Sequence, residues 1–259
     1  MTPPEKHPYS CPEYYDLAWS QGQAEECRFF LRCFEQHASR PVQRLLEPAC
    51  GTGRLLLLLA RAGLRVRGVD LDRDAVDYCN ARFRRNGQRG PAVVGDMTAL
   101  EPAPAVDVVL VTNNSFRHLL TEDAARSHLA SAARALRPGG LYVAGLHLVP
   151  TKGQRLETES WVGARGGLKV ETRVWTQTLN RVTRREHIGV ALDVHSGKRR
   201  FQLDGSITLR TYTARQMQAT LRSVSQLRLI ATYDFRYEDP VGVDSATQDV
   251  IYVLRKDGR

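Results

Sequence analysis

The spacing of apolar positions changes along the chain, and each change predicts a different kind of element. From Glu13 to about His37 the residues Leu17, Trp19, Cys27, Phe30, Leu31 and Phe34 recur at helical spacing, so one or two amphipathic helices ending near Pro41 are expected. Short apolar runs then alternate with helical stretches. Strands are predicted over Val42–Leu46, Arg65–Asp70, Ala92–Val94, Ala105–Thr112 and Gly140–Leu148, with helices over Gly53–Ala62, Asp72–Asn86 and about Thr121–Leu136, the last stopped by Pro138-Gly139-Gly140. Such alternation implies right-handed crossovers and a parallel sheet, hence an α/β fold. Beyond Pro150 the period becomes two, over Leu168–Leu179, Val182–Val194 and Arg199–Leu209. Val170, Thr172, Val174 and Thr176 share one face, as do Ile188, Val190, Leu192 and Val194, with hairpin turns at Asn180-Arg181 and His195-Ser196-Gly197. A helix over about Ala214–Ser223 and strands near Leu227–Phe235 and Asp249–Arg255 follow, the last pair expected as an antiparallel edge. The expected parts are a helical cap (1–40), an α/β core (41–150), an inserted antiparallel β meander (151–211) and a C-terminal completion of the core (212–259).

Composition narrows the function classes. The chain has 259 residues, 42% hydrophobic and 25% charged, which suits a globular protein with one large core. The longest aliphatic run, Leu55–Ala60, is far short of the roughly 20 residues a membrane span needs. Met1–Pro12 has no apolar stretch of the secretory kind, so a cytoplasmic setting is expected. Five cysteines, an odd set without a CxxC pair, argue against a disulfide framework and a thiolate zinc site. The formal charge of +9 raises an acidic partner or nucleic acid. Much of it falls between Thr151 and Thr211, where 12 Lys or Arg face 6 Asp or Glu.

The strongest local signal is Leu45-Leu46-Glu47-Pro48-Ala49-Cys50-Gly51-Thr52-Gly53-Arg54, a glycine-rich turn between a predicted strand and helix. Gly51 and Gly53 allow the backbone to approach a ligand closely at the carboxyl end of the first strand. The next strand ends in Asp70, 17 residues beyond Gly53, where a carboxylate can accept bonds from two ribose hydroxyls. A third strand ends at Gly95-Asp96-Met97, which suits an adenine ring.

These residues resemble the class I S-adenosylmethionine-dependent methyltransferases, over about residues 40–150. The likeness rests on Glu47-x-x-x-Gly51-x-Gly53, Gly68-Val69-Asp70, Gly95-Asp96, Asp107–Val111 and Leu136-Arg137-Pro138-Gly139-Gly140. A dinucleotide oxidoreductase fits less well, because Leu56 stands where the third glycine of GxGxxG would be. The resemblance implies a Rossmann-like, doubly wound, mostly parallel seven-stranded sheet and S-adenosylmethionine as cofactor, with S-adenosylhomocysteine as product. It places Glu47 near the methionine end, Ala49, Gly51 and Gly53 under the cofactor, Asp70 and Leu71 at the ribose, Asp96 and Met97 at the adenine, and Tyr15 and Asn113 beside them. Structural roles stay open for several: Glu47 as an ion-pair partner of an arginine, Asp70 or Asp72 as a helix cap, Met97 as core filling.

The loop after the fourth core strand, Thr112-Asn113-Asn114-Ser115-Phe116-Arg117-His118-Leu119, should border the transferred methyl. It lacks the Asn/Asp-Pro-Pro-aromatic tetrapeptide of methyltransferases that act on base amino groups. The Asn-Ser-Phe-x-His-Leu string instead resembles small-molecule enzymes of the glycine and amino-sugar N-methyltransferase type, as does Pro12-Glu13-Tyr14-Tyr15-Asp16-Leu17, similar to their lid segment. The catalytic candidates are then His118, Tyr14 and Asn114, and the substrate-binding ones Tyr14, Trp19, Asn114, His118, His147 and Trp161; His118 and His147, both near strand ends on the expected active face, are the candidate proton acceptors. His187 and Trp175 are further lid candidates. Glycine itself fits poorly, since Gly145-Leu146-His147-Leu148-Val149 holds no arginine for its carboxylate. No metal-ligand set is read from the sequence. The expected partner is a small-molecule methyl acceptor, with a homodimer through the meander as a further expectation. Two alternatives stay open: an RNA methyltransferase gripping phosphate through Arg184-Arg185 and Lys198-Arg199-Arg200, and a cofactor-binding protein without catalysis.

Overall fold

The computed structural model describes residues 7–101, 104–153, 155 and 157–258. Residues 1–6, half of the Met1–Pro12 segment, lie outside the described residues. The cap is two helices, α1 (Pro12–Ala18) and α2 (Gln23–His37), separated near Gly22, whose φ of +65° lies in the left-handed region. The α/β portion runs β1 (Arg44–Pro48), α3 (Arg54–Arg61), β2 (Arg65–Asp70), α4 (Arg73–Arg85), β3 (Ala92–Val94), β4 (Val106–Val111), α5 (Glu122–Ala135) and β5 (Leu136–His147). Then come β6 (Thr158–Arg165), β7 (Leu168–Asn180), β8 (Arg185–Ser196), β9 (Arg199–Arg210), α6 (Ala214–Arg222), β10 (Leu227–Tyr233) and β11 (Asp249–Lys256).

Seven strands form one sheet in the order β10-β11-β5-β4-β1-β2-β3, and β6-β7-β8-β9 form a second, antiparallel sheet. The first is the expected doubly wound, mostly parallel sheet. From β1 the chain steps outward through β2 and β3, then returns to place β4 on the other flank of β1. That reversal opens a crevice at the carboxyl ends of β1 and β4. Every residue of β4 is buried, and its side chains alternate between two cores. Val109 and Val111 meet α5 and α6 residues such as Leu129 and Met217, while Val108 and Leu110 meet Phe30, Leu55 and Cys79. A third core joins Leu17 and Ala18 of α1 to Val170, Val190, Leu192 and Leu203 of the second sheet.

The structure adjusts several expectations. β1 starts at Arg44 rather than Val42, because the Asp107 carboxylate takes the backbone N–H groups of Gln43 and Arg44 at 2.7 and 2.8 Å. Pro138-Gly139-Gly140 does not separate helix from strand: it lies within β5 at an irregularity, where β4 pairing skips from Leu136 to Leu141. β8 starts at Arg185, since Asn180 Oδ1 accepts from the amides of Val182 and Thr183 and bends the chain there. The meander gains a fourth strand, β6, turned into β7 at Gly166-Gly167. In the final pair only β10 is an edge, because β11 is antiparallel to both β10 and β5 and lies between them. No disulfide joins the five cysteines, all of which are buried. Among the described residues no helix is long and apolar enough to cross a membrane.

On α5 the fully buried His128 bonds through its two ring nitrogens to the Met97 carbonyl and the Tyr142 hydroxyl, both at 2.9 Å. Burial pushes its pKa down to about 4, against the opposing pull of the Met97 carbonyl and Asp96. The unfolded chain then takes up this proton more readily than the folded one. Stability should therefore be complete above the ordinary histidine value of 6.5 and fall as pH drops from there to about 4, by up to about 3 kcal/mol from this residue. Urea unfolding of the wild type and His128→Gln across that range checks this: the variant starts less stable at pH 7 and lacks this part of the slope.

Candidate active site

The site is built on the turn that leaves β1. Ala49, Gly51 and Gly53 all have left-handed backbones, with φ of +55°, +52° and +69°. At Gly53 a side chain would also strike the Cys79 sulfur, 2.4 Å from an added Cβ, so two independent constraints require glycine. At Gly68 on β2 an added Cβ would come 2.6 Å from the Cys50 sulfur and 2.8 Å from Leu56, which lets the turn lie close on the strand. Asp70 fixes the turn from the end of β2. Its Oδ2 accepts the Gly51 N–H at 2.7 Å and its Oδ1 the Asp72 N–H at 3.0 Å. An ionised carboxylate has about four acceptor positions, so capacity remains for a diol. Burial raises the Asp70 pKa, and the backbone N–H groups of Asp72, Gly51 and Leu71 oppose that rise.

A cavity of about 230 Å³ lies over this turn, lined by Tyr15, Ala49, Gly51, Asp70, Leu71 and Met97 among others. Six of the ten residues expected at the cofactor therefore meet around one space. The other four lie elsewhere. Gly53 shapes the turn, and the exposed Asp96 caps a short helical turn by accepting from Thr98 N at 2.7 Å. Asn113 faces a neighbouring cavity. Glu47 is buried beneath the surface and its Oε2 has no hydrogen-bond partner. Burial holds the Glu47 pKa well above the usual carboxylate range, against the pull of Arg54. Arg54 itself forks onto Glu26 of α2, with contacts of 2.5 and 3.1 Å.

The neighbouring cavity, about 300 Å³, extends between the first sheet and the meander and includes Trp19, Asn114, His118, His147 and Trp161 in its lining. Tyr9 and His118 line both spaces, so the two cavities are neighbours across these side chains. The cap forms the wall there. Tyr15 stacks on Trp19 with ring centroids 4.4 Å apart, Tyr9 lies 4.9 Å from Tyr15, and Trp19 meets Trp161 edge-on at 5.7 Å. Burial pushes the Tyr15 hydroxyl up to about 12, so it stays protonated at neutral pH. His118 meets Tyr9 edge-on, and its pKa is lowered by the loss of water around it and then by the adjacent Arg117 guanidinium. It is held neutral.

Tyr14 lies outside both cavities. It faces the meander, edge-on to Phe201 at 5.5 Å, because α1 turns Tyr14 and Tyr15 to different sides. Asn114, in a left-handed conformation with φ of +64°, spends its side-chain oxygen on the His147 backbone N–H at 2.7 Å and on Arg117 at 3.4 Å. It joins the loop after β4 to the end of β5. His187 points to Thr208 at 2.9 Å and lines neither cavity, whereas Trp175 borders the larger one.

Several lining residues were not read from the sequence. Tyr9 belongs to a short turn with no periodicity. In the sequence Arg117 stands only as part of the loop after the fourth core strand and Glu186 only among the acidic residues of the meander, yet both are buried, at 3% and 1% exposed. Glu186 accepts from Arg117, Arg155 and, at 2.6 Å, the Thr176 hydroxyl. Burial brings the Arg117 pKa down to about 10, which leaves it a cation at neutral pH. Among the described residues no group of three or more His, Cys, Asp or Glu is placed to hold a metal ion.

This fold recurs in known proteins. Residues 45–140 match the family model described as a methyltransferase domain. A methyltransferase from Clostridium acetobutylicum described as S-adenosylmethionine-dependent superposes with a TM-score of 0.74 at 17% identity, covering 90% of this chain and 91% of that one. Streptomyces venezuelae DesVI superposes with a TM-score of 0.73 at 19% identity over 93% and 95% of the two chains. The chain has the class I methyltransferase fold. The same fold is shared with CalS10, an amino pentose methyltransferase from Micromonospora echinaspora, at a TM-score of 0.67, 18% identity and coverage of 92% and 91%. In sequence, the ribosomal RNA small subunit methyltransferase C of Alcanivorax borkumensis is 32% identical over 130 residues, 49% of this chain and 39% of that one. The glycine/sarcosine N-methyltransferase of Aphanothece halophytica is 27% identical over 49% and 48% of the two chains. The chain spans about half the length of the curated relatives it matches.

The methyltransferase fold is closed by its cap through one buried carboxylate. Asp16 accepts from Arg82 of α4, from Thr52 Oγ1 in the glycine turn at 3.1 Å and from Arg165 of β6 at 3.1 Å. Asp16→Ala should lower stability by about 2–3 kcal/mol, below the range for a fully buried pair because Arg165 is half exposed. It should also loosen the Trp19–Trp161 contact, which tryptophan fluorescence would report as a red shift before global unfolding.

Proposed function

We propose that this protein transfers a methyl group from S-adenosylmethionine to a small-molecule nucleophile. One observation carries the reading: the cavity over the glycine turn and the chamber behind it are neighbours that share Tyr9 and His118 in their walls, so a methyl passing from one to the other would pass these side chains. When bound, S-adenosylmethionine supplies an electrophilic methyl on a sulfonium. The residues fit it, since Asp70 keeps acceptor capacity for ribose hydroxyls and Glu47 Oε2 is a buried oxygen without a partner.

For an in-line displacement with so good a leaving group, the protein has mainly to align the acceptor and exclude water. Tyr15 and Met97 enclose the cofactor space, Tyr9 and His118 frame the passage, and Trp19, Trp161 and Phe235 give the chamber an aromatic lining that suits a compact organic acceptor. The neutral His118 can accept a hydrogen bond from the nucleophile without competing charge. Structural neighbours described as a sugar N-methyltransferase, KedS8 from Streptoalloteichus, and as an amino pentose methyltransferase, CalS10, support a small acceptor with a nitrogen nucleophile.

An RNA substrate is supported by the Alcanivorax relative; of the residues expected to grip phosphate, Lys198, Arg199 and Arg200 are exposed at the β8–β9 turn, whereas Arg184, like other basic residues of the segment, is bound to a carboxylate. Arg184 pairs with Glu122 at 3.1 Å and covers the Tyr212 ring, Arg210 pairs with Glu122 at 2.8 Å, and Arg155 with Glu186. On the face of the meander turned away from α1, Lys169, Arg173 and Arg200 are interspersed with Glu171, Asp193 and Asp204 along paired strands. A dimer through that face remains a proposal that light scattering tests.

Calorimetric titration with S-adenosylhomocysteine should give saturable one-to-one binding. Asp70→Ala should weaken it about 10- to 100-fold, the worth of charge-assisted bonds to the ribose. Unchanged affinity in that variant would remove the site assignment, and absence of binding to the wild type would remove the proposed function.

A further inference from the structure

His147, the last residue of β5, faces the chamber, and Asp249, the first residue of β11, is its directly opposed partner in the antiparallel ladder. His147 Nδ1 lies 2.6 Å from Asp249 Oδ1. The ring is further held by the edge-on contact with Phe235 at 5.2 Å, and its backbone by the Asn114 oxygen at 2.7 Å. A carboxylate on Nδ1 selects the tautomer with the proton on that nitrogen. The Nε2 lone pair is then left for the chamber, and the carboxylate stabilises the imidazolium that forms when Nε2 takes a proton.

The other charged and titratable groups of the chamber divide by element. Tyr9 comes from the cap, Arg117 and His118 from the turn after β4, Arg155, Glu157 and Glu159 from the approach to β6 and its start, and Glu186 from β8. Arg117 and Arg155 are both bound to Glu186. That leaves Glu157 and Glu159 in the lining, with Asp249 behind His147, so acidic groups outnumber basic ones. Such a chamber favours a cation. An amine that enters as its ammonium ion has no lone pair until a proton is removed, and His118, crowded by the Arg117 guanidinium, is poorly placed to hold that proton.

Building on the proposed methyl transfer, we propose that His147 is the catalytic proton acceptor for an amine substrate, with Asp249 its positioning residue. The ammonium proton passes to His147 Nε2. The freed nitrogen lone pair forms the bond to the methyl carbon as the carbon–sulfur bond breaks, its electron pair going to sulfur. The proton on His147 leaves to solvent as product departs.

Nitrogen-15 NMR of the histidine rings in the full chain, with and without S-adenosylhomocysteine, tests the dyad independently of turnover. The wild type should show His147 protonated on Nδ1 at high pH, and Asp249→Asn should give a mixture of tautomers. A wild type protonated on Nε2, or an unchanged tautomer in Asp249→Asn, overturns the dyad. Methyl transfer from S-adenosylmethionine to a panel of small primary amines supplies the second measurement. His147→Gln should lower kcat about 100-fold or more, with S-adenosylhomocysteine affinity unchanged, and Asp249→Asn should move the acid limb of kcat/KM to lower pH. Wild-type kcat and an unmoved profile in His147→Gln overturn the proposal while leaving methyl transfer in place. A panel left unmethylated by protein that binds S-adenosylhomocysteine overturns the amine assignment, and failure of that binding removes the methyl-transfer reading itself.

Discussion

Closure of the cap over the crevice depends on Asp16. A carboxylate buried to 1% exposure is costly unless every lone pair is used, and Asp16 uses its own on three elements distant in sequence. Thr52 belongs to the glycine turn, Arg82 to α4, and Arg165 to the meander. Because one side chain holds all three, α1 can carry Tyr15 over one cavity and Trp19 into the next. Trp161 adds a second tie by donating its indole N–H to the Ala18 carbonyl at the end of α1. Aromatic stacking then fills the space these polar bonds enclose.

A second buried ionic group serves the chamber. Arg117, Arg155 and Glu186 sit where apolar side chains would pack at lower desolvation cost. Arg117 reaches the Arg210 carbonyl at 3.0 Å and Asn114 at 3.4 Å as well as Glu186, so the loop after β4, β8 and β9 share one guanidinium. Fixing three surfaces by directional bonds gives the chamber a defined shape, which dispersion contacts alone specify less sharply.

How much of this was legible in the sequence differs by the range of the interaction involved. The core strands and helices announced themselves because burial leaves a pattern, a continuous apolar run in β4, which is buried on both faces, and a period of two in β7. The cofactor turn was legible because a left-handed backbone at Gly51 and Gly53 leaves a local signature. β6 was not anticipated: Thr158–Arg165 contains Gly163, held there by the Leu17 carbonyl 2.3 Å from where a Cβ would stand, so its apolar alternation is broken by contact with the cap. Tyr14 and Tyr15 are adjacent and chemically alike, and only the docking of α1 decides which one faces the crevice. Glu186 and Arg117 were illegible for the same reason, since an ion pair between residues 69 apart has no local pattern.

The charge excess takes a different meaning once partners are known. Between Thr151 and Thr211, 12 basic residues face 6 acidic ones, a balance that on sequence alone suggests a phosphate-binding surface. In three dimensions Arg155, Arg165, Arg184 and Arg210 reach carboxylates, two of which, Asp16 and Glu122, lie outside that segment. Glu122 at the start of α5 also accepts the Thr220 hydroxyl at 2.6 Å, which draws α6 into the same cluster. Part of the meander's surplus of arginine, Arg165, Arg184 and Arg210, is thus complementary to acids of the cap and the core. Its electrostatic work is directed inward, holding the second sheet against the first so that the chamber between them keeps its shape.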